Sequence, residues 1–341
     1  MSTSAQPTTT TTATAVEFDF ASRRERAIAP ADAAASVRGG MFCWIDIDGD
    51  ADPAAAARLL SDLGIDDHAA RAALDTDVDG RYDVYDDCLH LGVTSGAFRD
   101  GQFVPSHVDL LVGERYFVTL RHGPVEFLEH VRRVYHQDFV KFARTPSFLL
   151  YEFWDQLIEG YKRAFREIEG FVERVQAQIF GDVDDYIFNV VAGLTRDLLQ
   201  FRKIVLAARE VLHELSTRRS SFVAESSQPF LEKMSATLER LSADLTVERE
   251  VLAETLNLYM GIVSHRTNKV VNRLTVVSMV FLPLTFLCGV YGMNFALEDE
   301  ATHKNLLMPE LTWRYGYVSF WVIAIALTTG LLVFMKRRKW W

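Results

Sequence analysis

Residues 268–295 read NKVVNRLTVVSMVFLPLTFLCGVYGMNF, and the fold turns on how this stretch is understood. From Leu274 to Tyr291 it carries no charge, close to the roughly 20 apolar residues that a helix needs to cross a hydrocarbon core about 30 Å thick. It is not uniformly greasy. Steps of three and four from Asn268 pass through Val271, Thr275, Ser278, Leu282, Thr285, Gly289 and Gly292, a seam repeating every ~3.5 residues, the spacing that keeps one line turned to a shared axis. Most members of the seam are small or polar, and the other positions are mainly Val, Phe, Leu and Met. Lipid gives no role to a hydroxyl stripe, whereas a narrow wet path does. Small residues also let helices pack closely, and spacing alone leaves both readings open.

A second uncharged run follows from Gly316 to Met335, and the chain then ends in Lys336, Arg337, Arg338, Lys339, Trp340 and Trp341. Cations and indoles suit a membrane–water boundary. Arg266, Lys269 and Arg273 precede the first span, while Glu298, Asp299, Glu300 and Glu310 dominate the segment between the spans. The positive-inside rule therefore predicts an inner-membrane hairpin with both termini in the cytoplasm and the acidic loop outside.

Charge divides the chain unevenly. From His265 onward nine Lys or Arg face four Asp or Glu, so this part is +5, and the whole-chain −10 leaves −15 for the rest. An acidic soluble part is a poor match for nucleic acid, which needs a basic face, but it concentrates cations near a pore mouth. Cys43, Cys88 and Cys288 have no metal-ligand or redox spacing and fit a reducing compartment. The nine His make no H-E-x-x-H motif, and no nucleophile elbow or phosphate loop occurs. The expectation is a non-enzyme without a resident cofactor.

Residues 1–38 are rich in Thr, Ala and Ser and lack the apolar core of a signal peptide, so a disordered tail is predicted, with the first span directing membrane insertion. Residues 39–145 alternate strand and helix signals. MFCWIDI reads as a strand, Pro53 to Leu63 and Asp66 to Leu74 as helices, and Tyr82–Val84, Leu89–Ser95, Phe103–Val112 and Tyr116–Arg121 as strands. FVPSHVDLLV–GER–YFVTL reads as a hairpin and Pro124 to Arg144 as a helix, giving a small α/β cytoplasmic domain with a mixed or antiparallel sheet. Residues 146–272 carry long helical patterns: Pro146 to Phe180, about Asp184 to Arg219, and a third from about Pro229 that continues into the first span. That last helix is expected to reach on the order of 90 Å at 1.5 Å per residue, with Pro283 disturbing it inside the membrane. The remaining segments are the first span at 273–291, an external loop at 292–315, the second span at 316–335 and the basic, aromatic end at 336–341. The fold class is an α+β membrane protein: a small α/β domain, a long-helix bundle and two C-terminal transmembrane helices per subunit.

Asp75, Asp77, Asp79, Gly80, Asp83 and Asp86 follow the early spacing of a calcium loop. The last ligand position holds Asp instead of the usual Glu, and YDVYDDCLHLGV reads as strand where an EF-hand needs a helix. A looser divalent-cation site and a solvated acidic turn are the alternatives.

Tyr291-Gly292-Met293-Asn294-Phe295 closes the first span. A glycine permits a tight turn there, and neutral amide and carbonyl oxygens suit a hydrated hard cation that sheds water reluctantly. YGMNF, MPEL at Met308–Leu311, the W-R-Y-G-Y run from Trp313, a second span and a basic end together resemble the CorA family of divalent-cation transport proteins, as does TNKVVNRLT…FLPLTF upstream. The resemblance is close over 264–341 and architectural elsewhere. It implies a homopentamer with a funnel-shaped cytoplasmic assembly and uptake of Mg²⁺, with Co²⁺ or Ni²⁺ also carried. It also implies a pore lined by Asn268, Val271, Leu274, Ser278, Leu282, Thr285 and Gly289, with Gly292, Met293 and Asn294 as the filter at its mouth. Apart from Leu274 in place of Thr275, this is the seam found from spacing.

Two departures stand out. Residues 296–307, ALEDEATHKNLL, lengthen the loop between GMNF and MPEL. Where the family's intersubunit Mg²⁺ sensor uses carboxylates, the aligned positions hold Arg71, Ala72 and Lys233, so either internal Mg²⁺ gates differently or Asp66, Asp67, Asp75 and Asp77 substitute. The nearest alternative is a ZntB-type zinc transporter with proton coupling, and a more remote one is a membrane-anchored scaffold or sensor that transports nothing.

Overall fold

FCWIDID at Phe42–Asp48 is buried from Phe42 through Ile47, so this strand needs neighbours along both edges and cover on both faces. The computed structural model, which describes residues 13–75, 80–99, 101–179, 185–293 and 313–338, supplies them. Strand β3 (Phe42–Asp48) lies near the middle of a seven-stranded sheet of order β2-β1-β3-β7-β6-β5-β4. The others are β1 (Ala13–Asp19), β2 (Arg24–Ile28), β4 (Arg81–Val84), β5 (Cys88–Arg99), β6 (Gln102–Gly113) and β7 (Tyr116–Arg121). Only β3 and β7 pair in parallel, so the sheet is mixed. The β6–β7 hairpin read from GER is present, with Val112 opposite Phe117.

Alternation along β3 divides the core. Cys43, Ile45 and Ile47 pack with Leu60 of α2 (Pro53–Asp62), Ala69 of α3 (Asp67–Ala73) and Ala33 of α1 (Ala33–Arg38). Trp44 turns the other way and meets Tyr135 of α4 (Glu126–Phe142) edge-on at 5.2 Å. Beside it Asp46, almost fully buried, accepts hydrogen bonds from Thr119 Oγ1 (2.7 Å), Arg121 Nε (3.3 Å) and Arg132 Nη1 (3.4 Å). A carboxylate in a core is tolerated when it is paired in this way. In β5 and β6, His90 Nε2 and His107 Nε2 lie 2.7 and 3.0 Å from the two oxygens of Asp109. Burial pushes that carboxyl up, but hydrogen bonds from both imidazoles outweigh it and hold it below the usual range.

The predicted disordered tail is corrected for residues 13–38, which form β1, β2 and α1. The Thr- and Ala-rich composition hid a strand covered on both faces, Ala13 and Ala15 toward α1–α3 and Phe18 toward α4. Ala13, Ala15 and Phe18 are buried, and Phe18 packs edgewise on Phe139 of α4 at 5.0 Å. Residues 1–12, with the run Thr8–Thr12, lie outside the described residues.

The strand expected from YDVYDDCLHLGV is present: β5 begins at Cys88, just past Asp86, where the calcium motif needs a helix. Gly80 has φ +75°, and a Cβ there would sit 2.8 Å from Cβ of Ala207, so a turn and a close approach to α6 (Asp185–Thr217) explain the glycine. Asp77 and Asp79 lie outside the described residues. Gly80→Ala is expected to lower stability by about 2 kcal/mol, read from chemical denaturation of the purified protein. An unchanged midpoint would refute the steric account.

Three long helices follow: α5 (Ser147–Ile179), α6 and α7 (Gln228–Tyr291, 64 residues). Each matches its periodicity-based expectation to within two or three residues. The last helix is α8 (Gly316–Arg337). The chain divides into two compact units, one through Leu256 and one from Asn257 onward. The first joins the sheet with α5, α6 and α7 up to Leu256, which the sequence divides as 39–145 and 146–272. Its reason lies in buried rows such as Tyr161, which reaches from α5 to donate its hydroxyl to the Thr94 carbonyl of β5 at 2.6 Å.

Candidate pore helix and its approaches

Gln228–Tyr291 forms one helix because glycine first interrupts it at Gly261, where an added Cβ would meet no atom within 4 Å, and Pro283 remains within it. Proline removes the N–H that would bond the Met279 carbonyl, which loosens the helix at that turn. Among the described residues, the C-terminal part of α7 and α8 are the two helices long and apolar enough to cross a membrane.

The sides of α7 differ. Val276, Val280, Pro283, Leu284, Leu287, Val290 and Tyr291 are half-buried, and the Tyr291 ring packs edgewise on Phe320 of α8 at 5.3 Å. At about 100° per residue these positions share one face. The seam positions Asn268, Val271, Leu274, Thr275, Ser278, Leu282, Thr285 and Gly289 centre about 160° away round the helix. All are exposed except Thr275, which is half-buried at the seam's edge. Leu282 is 71% exposed, the most open of the large apolar residues on the seam. Phe281 on one flank and Phe286 on the other are also exposed. The structure therefore brings all eight predicted lining residues onto one open side, away from α8.

Two hydroxyls on that side have fixed orientations. Thr275 Oγ1 donates to the Val271 carbonyl (2.9 Å), and Thr285 Oγ1 donates to the Phe281 carbonyl (2.8 Å). Their protons are used, so what they present outward is oxygen lone pairs. Water bound to a cation points its hydrogens outward, and a surface of acceptors suits such a shell. At Gly289 an added Cβ would touch nothing within 4 Å. Gly292 N–H bonds the Cys288 carbonyl at 2.9 Å as the helix ends. Met293 is exposed. Asn294, the loop 296–307 and MPEL lie outside the described residues.

Two of the proposed regulatory acids shape the start of α3. Asp66 caps α3, accepting from the backbone N–H of His68 (2.7 Å) and Ala69 (3.2 Å), and Asp67 occupies the first turn, where negative charge complements the helix dipole. Arg71 and Ala72 lie in the same helix, where the Ala72 carbonyl accepts from Arg81 Nη1 at 2.5 Å. Lys233 lies on α7. Among the described residues no group of three or more His, Cys, Asp or Glu within this chain is placed to hold a metal ion.

Sequence reasoning passed over Glu152. It falls in the apolar row of α5 beside Phe153 and Trp154, and it is 5% exposed. A lone acid at a core spacing was the available signal. Burial, with the charges of Asp138 and Asp155 adding to it, pushes its carboxyl up to about 7. A carboxyl raised in the folded state costs nothing below its unfolded value near 4.5 and progressively destabilises as pH rises through about 7. Between pH 5 and 8 the protein should thus lose up to about 3 kcal/mol that Glu152→Gln retains. Parallel pH–stability curves for the two proteins would contradict this.

The fold and the open side of α7 define a two-span membrane protein with a large extramembranous α/β unit. Residues 39–338 match the family described as CorA-like Mg²⁺ transporter protein, and the chain belongs to that family. It is a divalent-cation transporter. The cobalt/magnesium transport protein CorA of Thermotoga maritima is 25% identical over 197 residues, 58% of this chain and 53% of that protein. The complete structure of the CorA magnesium transporter from Methanocaldococcus jannaschii has the same fold, with TM-score 0.82 at 18% identity over 97% of this chain and 99% of that one. The ZntB cytoplasmic domain from Vibrio parahaemolyticus aligns with TM-score 0.56 at 13% identity, covering 75% of this chain and 98% of that one.

Proposed function

We propose that five copies of this chain enclose a central pore through which hydrated Mg²⁺ enters the cell, with Co²⁺ and Ni²⁺ as further cargo. The observation that carries this reading is the opposition on α7: its small and acceptor-bearing side points away from α8. Two helices cannot enclose water, so several subunits must each contribute one around a closed axis. Hydrated Mg²⁺ docks on a ring of Asn294 amides beside Gly292 and Met293, then passes Gly289, Thr285 and Ser278. Leu282, Leu274 and Val271 form apolar constrictions that close by dewetting, and Asn268 forms the polar ring at the inner end. Moving a divalent ion inward through 100 mV contributes about 4.6 kcal/mol, twice the value per unit charge. No ATP site is required.

The orientation places both termini in the cytoplasm, following the basic flanks Arg266–Arg273 and Lys336–Arg338. Zinc is the competing cargo, suggested by the likeness to the ZntB cytoplasmic domain, but that likeness covers the extramembranous part and leaves the GMN segment aside. Flux into liposomes holding the purified protein decides between them: Mg²⁺ uptake driven by an inside-negative potential, insensitive to a pH gradient, is expected. Zinc uptake that follows the proton gradient, with no Mg²⁺ flux, would replace the proposal. A well-folded oligomer that carries neither ion would make it a scaffold.

A further inference from the structure

The cations of the second unit gather where the stripe is not. On α7, Lys269 and Arg273 fall within about 40° of the centre of the face that carries Tyr291 toward α8, and not on the seam side. On α8 the buried Ala324 and Met335 and the half-buried Phe320 and Leu331 make one row, and Arg338 falls in line with it at about 100° per residue. Depth agrees as well. Arg273 is 18 residues from Tyr291, and Arg338 is 18 residues from Phe320, so from the Tyr291–Phe320 contact each lies about 27 Å along its helix. Lys336 and Arg337 end α8 at the same level.

Like charges converging on one face repel unless an anion joins them. Neither 257–293 nor 313–338 contains a single Asp or Glu. The helix dipole accounts for cations in the last turn of α8, but Lys269 and Arg273 stand in the middle of α7. Apolar surface adjoins the cations: Val333 is 49% and Phe334 57% exposed, and the Arg338 guanidinium stands 5.8 Å over the Phe334 ring. A charged head beside an apolar wall matches an amphiphile, not a soluble anion.

From this placement we propose that the basic end of α8 and the Lys269–Arg273 turn of α7 together bind the phosphate of an acidic phospholipid, whose acyl chains lie along α8. The inference rests on the membrane-spanning reading of both helices, not on ion conduction. Native mass spectrometry of the full-length oligomer in neutral detergent tests it with phosphatidylglycerol and phosphatidylcholine. Phosphatidylglycerol should be retained at roughly tenfold lower concentration, and raising ionic strength should erode that preference. Arg273→Gln with Arg338→Gln should reduce it to within about twofold, while Arg314→Gln, before the start of α8, should keep it. Equal retention of the two lipids, an unaltered preference in the double variant, or displacement by millimolar inorganic phosphate would each overturn the proposal. Should the double variant fail to assemble, the salt dependence of the native protein decides alone. Binding is read without any flux, so loss of the channel proposal would leave this result standing.

Discussion

Asn294→Ala should lower Mg²⁺ uptake by at least tenfold while leaving the oligomer and its melting transition unchanged. The magnitude follows from the chemistry of the ring. A hydrogen bond to a charged group contributes about 1.5–3 kcal/mol, and every 1.4 kcal/mol is a factor of about ten in occupancy. In the proposed ring each copy would offer one amide oxygen to a water of the cation's shell, so an alanine in all copies would remove the whole set. Asn294→Asp separates position from charge. A carboxylate ring holds the ion more tightly and releases it more slowly, so half-saturation should fall together with the maximal rate. Wild-type uptake by Asn294→Ala at low external Mg²⁺ would remove this residue from the filter. Tracer uptake into liposomes at fixed potential measures both variants.

The membrane hairpin and the long helices were legible because their physics is local. Eighteen uncharged residues from Leu274 to Tyr291, or the helical pattern from Pro146 to Phe180, can be recognised without knowing what they touch. The β-strands of residues 13–28 were not, since their stability comes from partners distant in sequence. Ala13 and Phe18 become core only when Ile47 and Phe42 lie opposite them, and Thr and Ala around them dilute the strand signal. Gly80 misled for a related reason: Ala207, the residue it makes room for, is more than a hundred positions away. The seam itself was read from spacing, but its direction was not. Only the Tyr291–Phe320 contact and the half-buried row with it place α8 on the opposite side. Asp66 shows the converse limit, because a carboxylate that caps a helix and one that binds a cation look alike in a string of letters.

Leu282→Asp should raise resting Mg²⁺ influx about tenfold. Leu282 sits one residue before Pro283 and is the most open large apolar residue of the seam. In a ring of copies its side chains would meet across a narrow bore, where apolar walls expel water and close the path without a plug. Carboxylates at the same place hold water and attract cations, so the dry state loses its advantage and the conduit stays wet. Leu282→Met preserves apolar volume and should conduct as the native protein does. Val277→Asp offers the geometric control: it is also exposed, at 52%, but lies about 140° round the helix. There a charge faces lipid or a neighbouring subunit, so the expected result is loss of assembled protein without leak. If Leu282→Asp assembles and its resting influx matches the native rate, the constriction lies elsewhere on α7, and Leu274 or Val271 inherits the role.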